Sequence, residues 1–93
     1  MNEKEFQKFK EIISPGDLIF IFYYSYDNKL SINSFIYLAP TIFFENTFKL
    51  LCLKHQDPSI KGLRTNFVIF SASSAISRIK LYNPKTKQMF IFE

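Results

Sequence analysis

Tryptophan is absent from this chain of 93 residues, and cysteine, histidine and glycine are scarce. The single cysteine, Cys52, excludes an intrachain disulfide, which fits a protein of a reducing compartment. One cysteine and one histidine, His55, supply too few ligands for a zinc site within one chain. The segment around Gly62 lacks the glycine, lysine and serine pattern of a P-loop. Because no catalytic signature is present, we expect neither enzymatic activity nor a cofactor.

Long hydrophobic runs are also missing. The longest apolar run, Leu18 to Tyr24, is far shorter than the roughly 20 residues that span a bilayer. Residues 1–5 are rich in charge and are not followed by a signal-type apolar region. We therefore predict a single domain over residues 1–93, located in the cytoplasm and without a membrane partner. Alanine is rare, and the abundance of residues with AT-rich codons indicates a low-GC bacterium or one of its phages.

Aromatic residues, in contrast, are abundant, with twelve phenylalanines and five tyrosines. Each ring buries roughly 150–250 Å², and a domain of this size has little core to hold so many. We therefore expect part of the apolar surface to meet another copy of the chain in a homo-oligomer. Tyrosine is common at interfaces because it combines a large ring with a polar tip. We predict a protein interface at the tyrosines near the first hairpin, namely Tyr23, Tyr24, Tyr26 and Tyr37.

The first element predicted is a short amphipathic helix. Phe6, Phe9 and Ile13 have helical spacing, which places the helix over residues 3–13, and Pro15 ends it. The rest of the chain, residues 17–93, has the short apolar runs and turn residues of a β-rich body. The predicted parts of that body are strands over 18–26, 30–39, 67–70, 76–82 and 88–92, a loop over 56–66 and a tight turn over 71–74. The first of these strands has two apolar faces, which predicts burial on both sides.

Residues 41–55 allow two interpretations. As strands, they divide into 41–45 and 47–55, with a turn at Asn46. As a helix, they place one face on Phe44, Phe48, Leu51, Cys52 and His55. Because β-favouring Phe, Thr and Ile dominate the first half, the strand interpretation is favoured.

The element order resembles that of the small SH3-like and Sm-like barrels. The entry Pro15-Gly16-Asp17, followed by Leu18-Ile19, carries the resemblance, which covers nearly the whole chain. It implies an α+β, mostly antiparallel β fold, in which the helix precedes a five- to six-stranded SH3-like barrel or strongly bent sheet. It transfers no ligand residue, because this chain has Ser73-Ser74 where Sm-like proteins have an Arg-Gly pair before the last strands.

Positive charge is concentrated in the second half of the chain. Residues 47–93 hold eight of the twelve Lys and Arg residues and two of the eight Asp and Glu residues, a net charge of +6, against −2 for residues 1–46. Such a surface attracts an anionic partner. We predict a non-catalytic binding module for a phosphate-bearing ligand, either nucleic acid or a nucleotide. The alternative is a small phage-type inhibitor that binds an acidic host protein or sequesters a nucleotide signal.

The candidate ligand-binding residues form two groups. Lys61 and Arg64 flank Gly62, which lets backbone amides approach an anion. The other group shares one face of a predicted strand and continues into the next turn, and it consists of Arg78, Lys80, Tyr82 and Lys87. Because the intervening Ile79 and Leu81 are apolar, that strand has its other face in the core. Cations beside tyrosine suit phosphates and stacked bases; a solvated face that prevents edge aggregation is the alternative.

Overall fold

The computed structural model describes residues 1–24, 27–40, 47–69 and 76–93. One helix and six strands make up this part of the chain, together with a single 3₁₀ turn at Pro58–Ile60. The elements are α1 (Glu3–Ile12), β1 (Leu18–Tyr24), β2 (Leu30–Pro40), β3 (Thr47–Lys54), β4 (Gly62–Val68), β5 (Ile76–Asn83) and β6 (Gln88–Phe92). The predicted α+β, mostly antiparallel β class is confirmed.

The six described strands form one antiparallel sheet in the order β4-β3-β2-β1-β5-β6. Strands β4 and β6 are its edges and do not pair with each other. The described part is therefore an open sheet and not a closed barrel. Within these residues, no helix has the length and apolar character needed to cross a bilayer.

Helix α1 begins with a side-chain cap and docks on the sheet through two phenylalanines. The Oδ1 atom of Asn2 accepts a hydrogen bond of 2.8 Å from the backbone N–H of Glu5, which satisfies one of the free donors of the first turn. Phe6 and Phe9 are fully buried. The ring centroid of Phe9 lies 5.8 Å from that of Phe92 and 6.3 Å from that of Phe48. A ten-residue helix is marginal alone, so this packing holds it in place.

The corner between α1 and β1 is fixed by Asp17, which is buried. Its Oδ2 atom accepts a hydrogen bond of 2.9 Å from the backbone N–H of Ser14. The backbone N–H of Gly16 donates to the carbonyl of Tyr37, and the N–H of Tyr37 donates to the carbonyl of Asp17. Gly16 has φ +94°, a conformation that side chains disfavour. The Pro-Gly-Asp entry therefore joins the helix to both β1 and β2.

The sheet has two faces, which we call the inner and the outer face. Helix α1 packs on the inner face, whose buried side chains include Ile19, Ile21, Phe35, Tyr37, Leu50, Cys52, Ile79, Leu81 and Phe92. Strand register places the alternate residues on the outer face, which include Leu18, Phe20, Phe22, Tyr24, Leu30, Ile32, Leu51, Leu63, Arg78, Lys80, Tyr82, Met89 and Ile91. Several of these, such as Leu30 and Leu63, are more than half exposed.

Most predicted elements are confirmed, and two differ from the structure. The strand predicted over 67–70 is the end of β4, which stops at Val68. Strand β3 over Thr47–Lys54 confirms the strand interpretation of this stretch over the helical one. The loop predicted over residues 56–66 is instead a 3₁₀ turn followed by β4, which begins at Gly62. Strand β4 was not predicted because it contains polar residues, which edge strands commonly carry. The predicted strand 41–45, turn 71–74 and interface residue Tyr26 lie outside the described residues.

Candidate nucleic-acid interface

Strand β5 presents its polar residues on the outer face. Ile79 and Leu81 are fully buried on the inner side, so the alternate side chains of Arg78, Lys80 and Tyr82 point the other way. This is the arrangement that the alternation in the sequence predicted. The three side chains stay on one face because no register shift interrupts the alternation between them in the pairing of β5 with β1.

Two phenylalanines of β1 lie beside these cations. In the register of the sheet, Phe22 is opposite Arg78 and Phe20 is opposite Lys80. The ring centroid of Phe22 lies 5.9 Å from the guanidinium carbon of Arg78 and 5.3 Å from Nζ of Lys80. Cation–π attraction of about 0.5–1 kcal/mol at an exposed site favours these positions. Both charges are thus held over an aromatic surface.

Tyr82 completes the arrangement at the end of β5. It lies opposite Leu18 of β1 on one side and Met89 of β6 on the other. Strand β6 also places the half-exposed Ile91 opposite Lys80. We call the outer-face set Phe20, Phe22, Arg78, Lys80 and Tyr82 the cationic–aromatic strip.

One carboxylate faces the cationic–aromatic strip. An oxygen of Glu93 lies 3.8 Å from a terminal nitrogen of Arg78, and both side chains are substantially exposed. Exposed pairs of this kind contribute about 0–1 kcal/mol. This pair therefore holds Arg78 only weakly.

The β5–β6 hairpin extends the basic surface beyond Tyr82. Asn83 organises the turn, because its Oδ1 atom accepts hydrogen bonds from the backbone N–H groups of Lys85 and Thr86. Its carbonyl accepts a further bond of 2.7 Å from the N–H of Lys87, which adopts φ +61°. Both lysines are exposed. They can follow a phosphate backbone that runs along β5.

The second predicted group, Lys61 and Arg64, lies elsewhere. The Nε atom of Arg64 donates a hydrogen bond of 3.0 Å to the carbonyl of Ile60, and a terminal nitrogen donates to the carbonyl of Ser59. Strands β3, β2 and β1 separate β4 from β5 in the sheet. The structure therefore does not bring the two groups into one site, and the contacts of Arg64 hold the 3₁₀ turn. Binding of an anion by Lys61 stays a prediction.

The predicted tyrosine interface is divided between the two faces. Tyr24 is 49% exposed on the outer face, opposite Leu30. Tyr23 lies on the inner side, where its hydroxyl donates to Oδ1 of Asn33. Tyr37 is buried against Phe48 in the core, so it offers no contact surface in this structure. Of the predicted interface tyrosines that the structure describes, Tyr24 is the one on the outer face.

Cys52 and His55 do not form a nucleophilic pair. Cys52 is buried on the inner face, and burial raises the pKa of its thiol, which keeps the weakly nucleophilic protonated form. His55 follows the end of β3 and packs against the rings of Phe35 and Phe67. Among the described residues, no cluster of three or more His, Cys, Asp or Glu side chains could hold a metal ion.

The protonation of His55 gives stability a pH dependence. Burial lowers the pKa of His55, against the opposing effect of the nearby Asp57 carboxylate and with a smaller lowering by Arg64. The unfolded chain therefore binds a proton more readily, so stability rises with pH across this window. We expect wild-type protein to lose stability as the pH falls from above about 6.5 through the lowered folded pKa. Urea unfolding at several pH values would measure this change in the free energy of unfolding.

The control for this prediction is His55→Phe, which keeps a ring packed against Phe35 and Phe67. This variant should show a flatter stability profile between pH 7.5 and 5. Asp57 does not interfere in that window, because its pKa is lowered from an already acidic value by the hydrogen bonds from Ser59. Equal pH dependence in both proteins would contradict the assignment.

Phe20 and Phe22 were not recognised as site residues in the sequence. Both faces of the segment Leu18–Tyr24 are apolar, so the pattern indicated a strand buried on both sides. The available signal was the alternation of β5. Residues that are opposite each other in antiparallel strands share a face, so the partners of the polar residues of β5 on β1 also lie on the outer face. That pairing could not be assigned without the fold.

In comparisons with protein-family models, with curated proteins and with solved structures, the chain matches none of them.

Proposed function

We propose that this protein is a non-catalytic module that binds single-stranded nucleic acid on the cationic–aromatic strip. The observation that carries the proposal is the placement of Arg78, Lys80 and Tyr82 on one solvent-facing side of β5, beside Phe20 and Phe22. Proteins bind single strands by pairing cations with phosphates and by stacking aromatic side chains on bases. A sheet face with both groups side by side supplies the two interactions together.

The geometry favours a single strand over a duplex. Stacking on aromatic side chains requires bases that are free of their partners, and the major groove of DNA is read by a helix or a two-stranded ribbon. The described helix, α1, packs its apolar face on the sheet, and its exposed face carries Glu3 and Glu11 beside Lys4 and Lys8, so it offers no cationic surface to a groove. The strip offers a surface for exposed bases instead.

Fluorescence anisotropy of labelled 15-mers tests the proposal. We expect oligo(dT) to bind more tightly than a duplex of the same length. Log affinity should fall with log salt with a slope near −2, because each of about three phosphate contacts contributes about −0.7 in a single strand. The three contacts are those of Arg78, Lys80 and Lys87. Binding that is absent at low salt, or that favours the duplex, would contradict the proposal.

Replacing Tyr82 separates stacking from charge. Tyr82→Ala removes one ring from the strip, and base stacking is worth about 1–3 kcal/mol per base. We expect the low end, roughly a fivefold weaker affinity, because the rings of Phe20 and Phe22 remain. The salt slope should not change, since no cation is lost. Tyr82→Phe keeps the ring and should bind like the wild type; a loss as large as that of the alanine variant would argue against stacking.

A second candidate is a small inhibitor that binds a host protein, the alternative predicted from the sequence. It is favoured by exposed aliphatic side chains on β2, β3 and β4, the half of the sheet away from the strip. They are Leu30, Ile32, Leu53 and Leu63. The basic strip would then steer the protein to an acidic partner. A specific host protein that binds wild type but not Leu53→Asp, while both bind oligo(dT) equally, would favour this function. The same variant would dissociate a homo-oligomer formed through this half.

A further inference from the structure

A cavity of about 250 Å³ opens on the inner face, where β1 ends and β2 begins. It is on the opposite side of the sheet from the cationic–aromatic strip. The side chains that give it its chemical character are Ile21, Tyr23, Asn33, Phe35, His55 and Phe67. Among the described residues, its lining includes no Lys, Arg, Asp or Glu. An ionic ligand would therefore lose its hydration without gaining a charged partner.

Three rings form one wall of this cavity. The centroids of Phe35 and Phe67 are 5.0 Å apart. The ring of His55 stands edge-on to both, with centroid distances of 6.5 Å to Phe35 and 6.4 Å to Phe67. Aromatic walls of this kind favour a flat, aromatic ligand, because stacked and edge-to-face contacts add to the burial of apolar area.

The polar residues that line the cavity are Tyr23, Asn33, His55 and the exposed Gln56, and the first three lie beside its aromatic wall. The hydroxyl of Tyr23 lies 3.3 Å from Oδ1 of Asn33 and donates to it. Asn33 is 6% exposed, and this bond occupies its acceptor, so its Nδ2 group is the donor left for a ligand. A buried amide group of this kind is costly to place in an apolar pocket without a hydrogen-bonding role.

His55 adds a second donor. Its Nδ1 atom accepts a hydrogen bond of 3.0 Å from the backbone N–H of Asp57. The neutral ring therefore carries its proton on Nε2. Burial lowers the pKa of His55, which keeps the ring neutral near pH 7. Two neutral donors beside an aromatic wall suit a ligand with ring-nitrogen or carbonyl acceptors.

The volume limits the size of the ligand. A dry cavity of about 150 Å³ holds benzene, and pockets for drug-sized ligands begin at about 300 Å³. The cavity lies between these values, which corresponds to one or two fused rings. We propose that it binds one neutral, planar heteroaromatic molecule of nucleobase size, with its acceptors on Asn33 and His55 and its face against Phe67.

This site is independent of the proposed nucleic-acid interface, because it uses the other face of the sheet. Two sources could supply the ligand: a free base or nucleoside, or a base of a bound strand. A titration of ¹⁵N-labelled protein distinguishes them. Its arms are adenine and uracil at millimolar concentration, oligo(dT), toluene as a ring without acceptors, and benzoate as a charged ring.

We expect saturable shifts for at least one neutral heterocycle at the side-chain amide of Asn33 and the backbone amides of Tyr23 and His55. Toluene should bind at least fivefold more weakly, because each lost hydrogen bond is worth about that factor. Benzoate should also bind more weakly, because its charge loses hydration without gaining a charged partner in the lining. Shifts at the same residues with oligo(dT) would identify a base of a strand as the source, and their absence would identify a free molecule. Both results support the site.

Two variants keep the proposal open to refutation. Asn33→Leu removes the amide at similar volume, and Tyr23→Phe removes only the hydroxyl that orients it. Each should weaken binding of the heterocycle about fivefold, whereas Lys4→Ala, at an exposed position of α1, should not change it. The proposal is overturned if no heterocycle gives saturable shifts at the cavity residues. It is also overturned if toluene binds as tightly as every heterocycle, or if neither variant weakens binding.

Discussion

Arg78→Ala combined with Lys80→Ala is expected to weaken the binding of oligo(dT) roughly 50-fold at 50 mM salt. Each phosphate contact contributes about −0.7 to the slope of log affinity against log salt for a single strand, so losing two removes about 1.4 from the slope. The slope should therefore fall from about −2 to about −0.7. Anisotropy titrations between 50 and 200 mM salt measure both quantities.

The matched control is Lys4→Ala combined with Lys8→Ala. Both lysines are exposed on α1, and alanine is well tolerated in a helix. The control removes the same two positive charges from the net +4, so it tests whether position or total charge decides affinity. Similar losses in both double variants would show that nonspecific attraction, and not the cationic–aromatic strip, binds the strand.

Phe9→Ala is expected to lower the free energy of unfolding by about 3–5 kcal/mol, the usual cost of truncating a buried phenylalanine. Phe9 is fully buried and contacts the rings of Phe6, Phe48 and Phe92. It therefore joins α1 to both β3 and β6. Small domains have about 5–15 kcal/mol of stability in total, so the variant should unfold at a much lower urea concentration. Circular dichroism would measure this unfolding, since the chain has no tryptophan for detection by fluorescence.

Phe20→Ala serves as the comparison, since Phe20 is partly exposed on the outer face. Its stability loss should be clearly smaller than that of Phe9→Ala, because less apolar area returns to water. Its loss of oligo(dT) affinity should be larger, because a ring of the strip disappears. Equal stability losses would contradict the assignment of the inner face as the core and the outer face as the binding surface.

The sequence was sufficient to predict the elements with strong local patterns. The spacing of Phe6 and Phe9 indicates one buried helical face, and the structure buries both. The alternation of Arg78, Lys80 and Tyr82 with Ile79 and Leu81 determines which side chains share a face of β5. These features depend only on the helical and strand periods, which the amino-acid order contains directly.

Features that depend on pairing between distant segments could not be predicted. Alternation shows which residues share a face but not whether that face is covered. The two apolar faces of β1 therefore indicated complete burial, although Tyr24 is 49% exposed. The use of Arg64 to bind the carbonyls of Ser59 and Ile60 depends on the geometry of the 3₁₀ turn.

The cavity on the inner face was missed for the same reason. Its polar residues Tyr23, Asn33 and His55 come from three different segments of the chain and meet only in the folded sheet. Asn33 shares a predicted strand face with Phe35 and Tyr37, and that position was the one local signal. A polar residue on the apolar face of a strand indicates either a buried hydrogen bond or a ligand contact, and the sequence does not distinguish the two.

Photo-cross-linking of an oligonucleotide that contains bromodeoxyuridine, followed by mass spectrometry, tests the central claim most directly. The cross-link forms preferentially where a base contacts an aromatic side chain closely. We predict adducts at Tyr82, Phe20 or Phe22, and a loss of yield in the Arg78→Ala, Lys80→Ala double variant. Adducts confined to other residues, or a yield that the double variant does not change, would contradict the account.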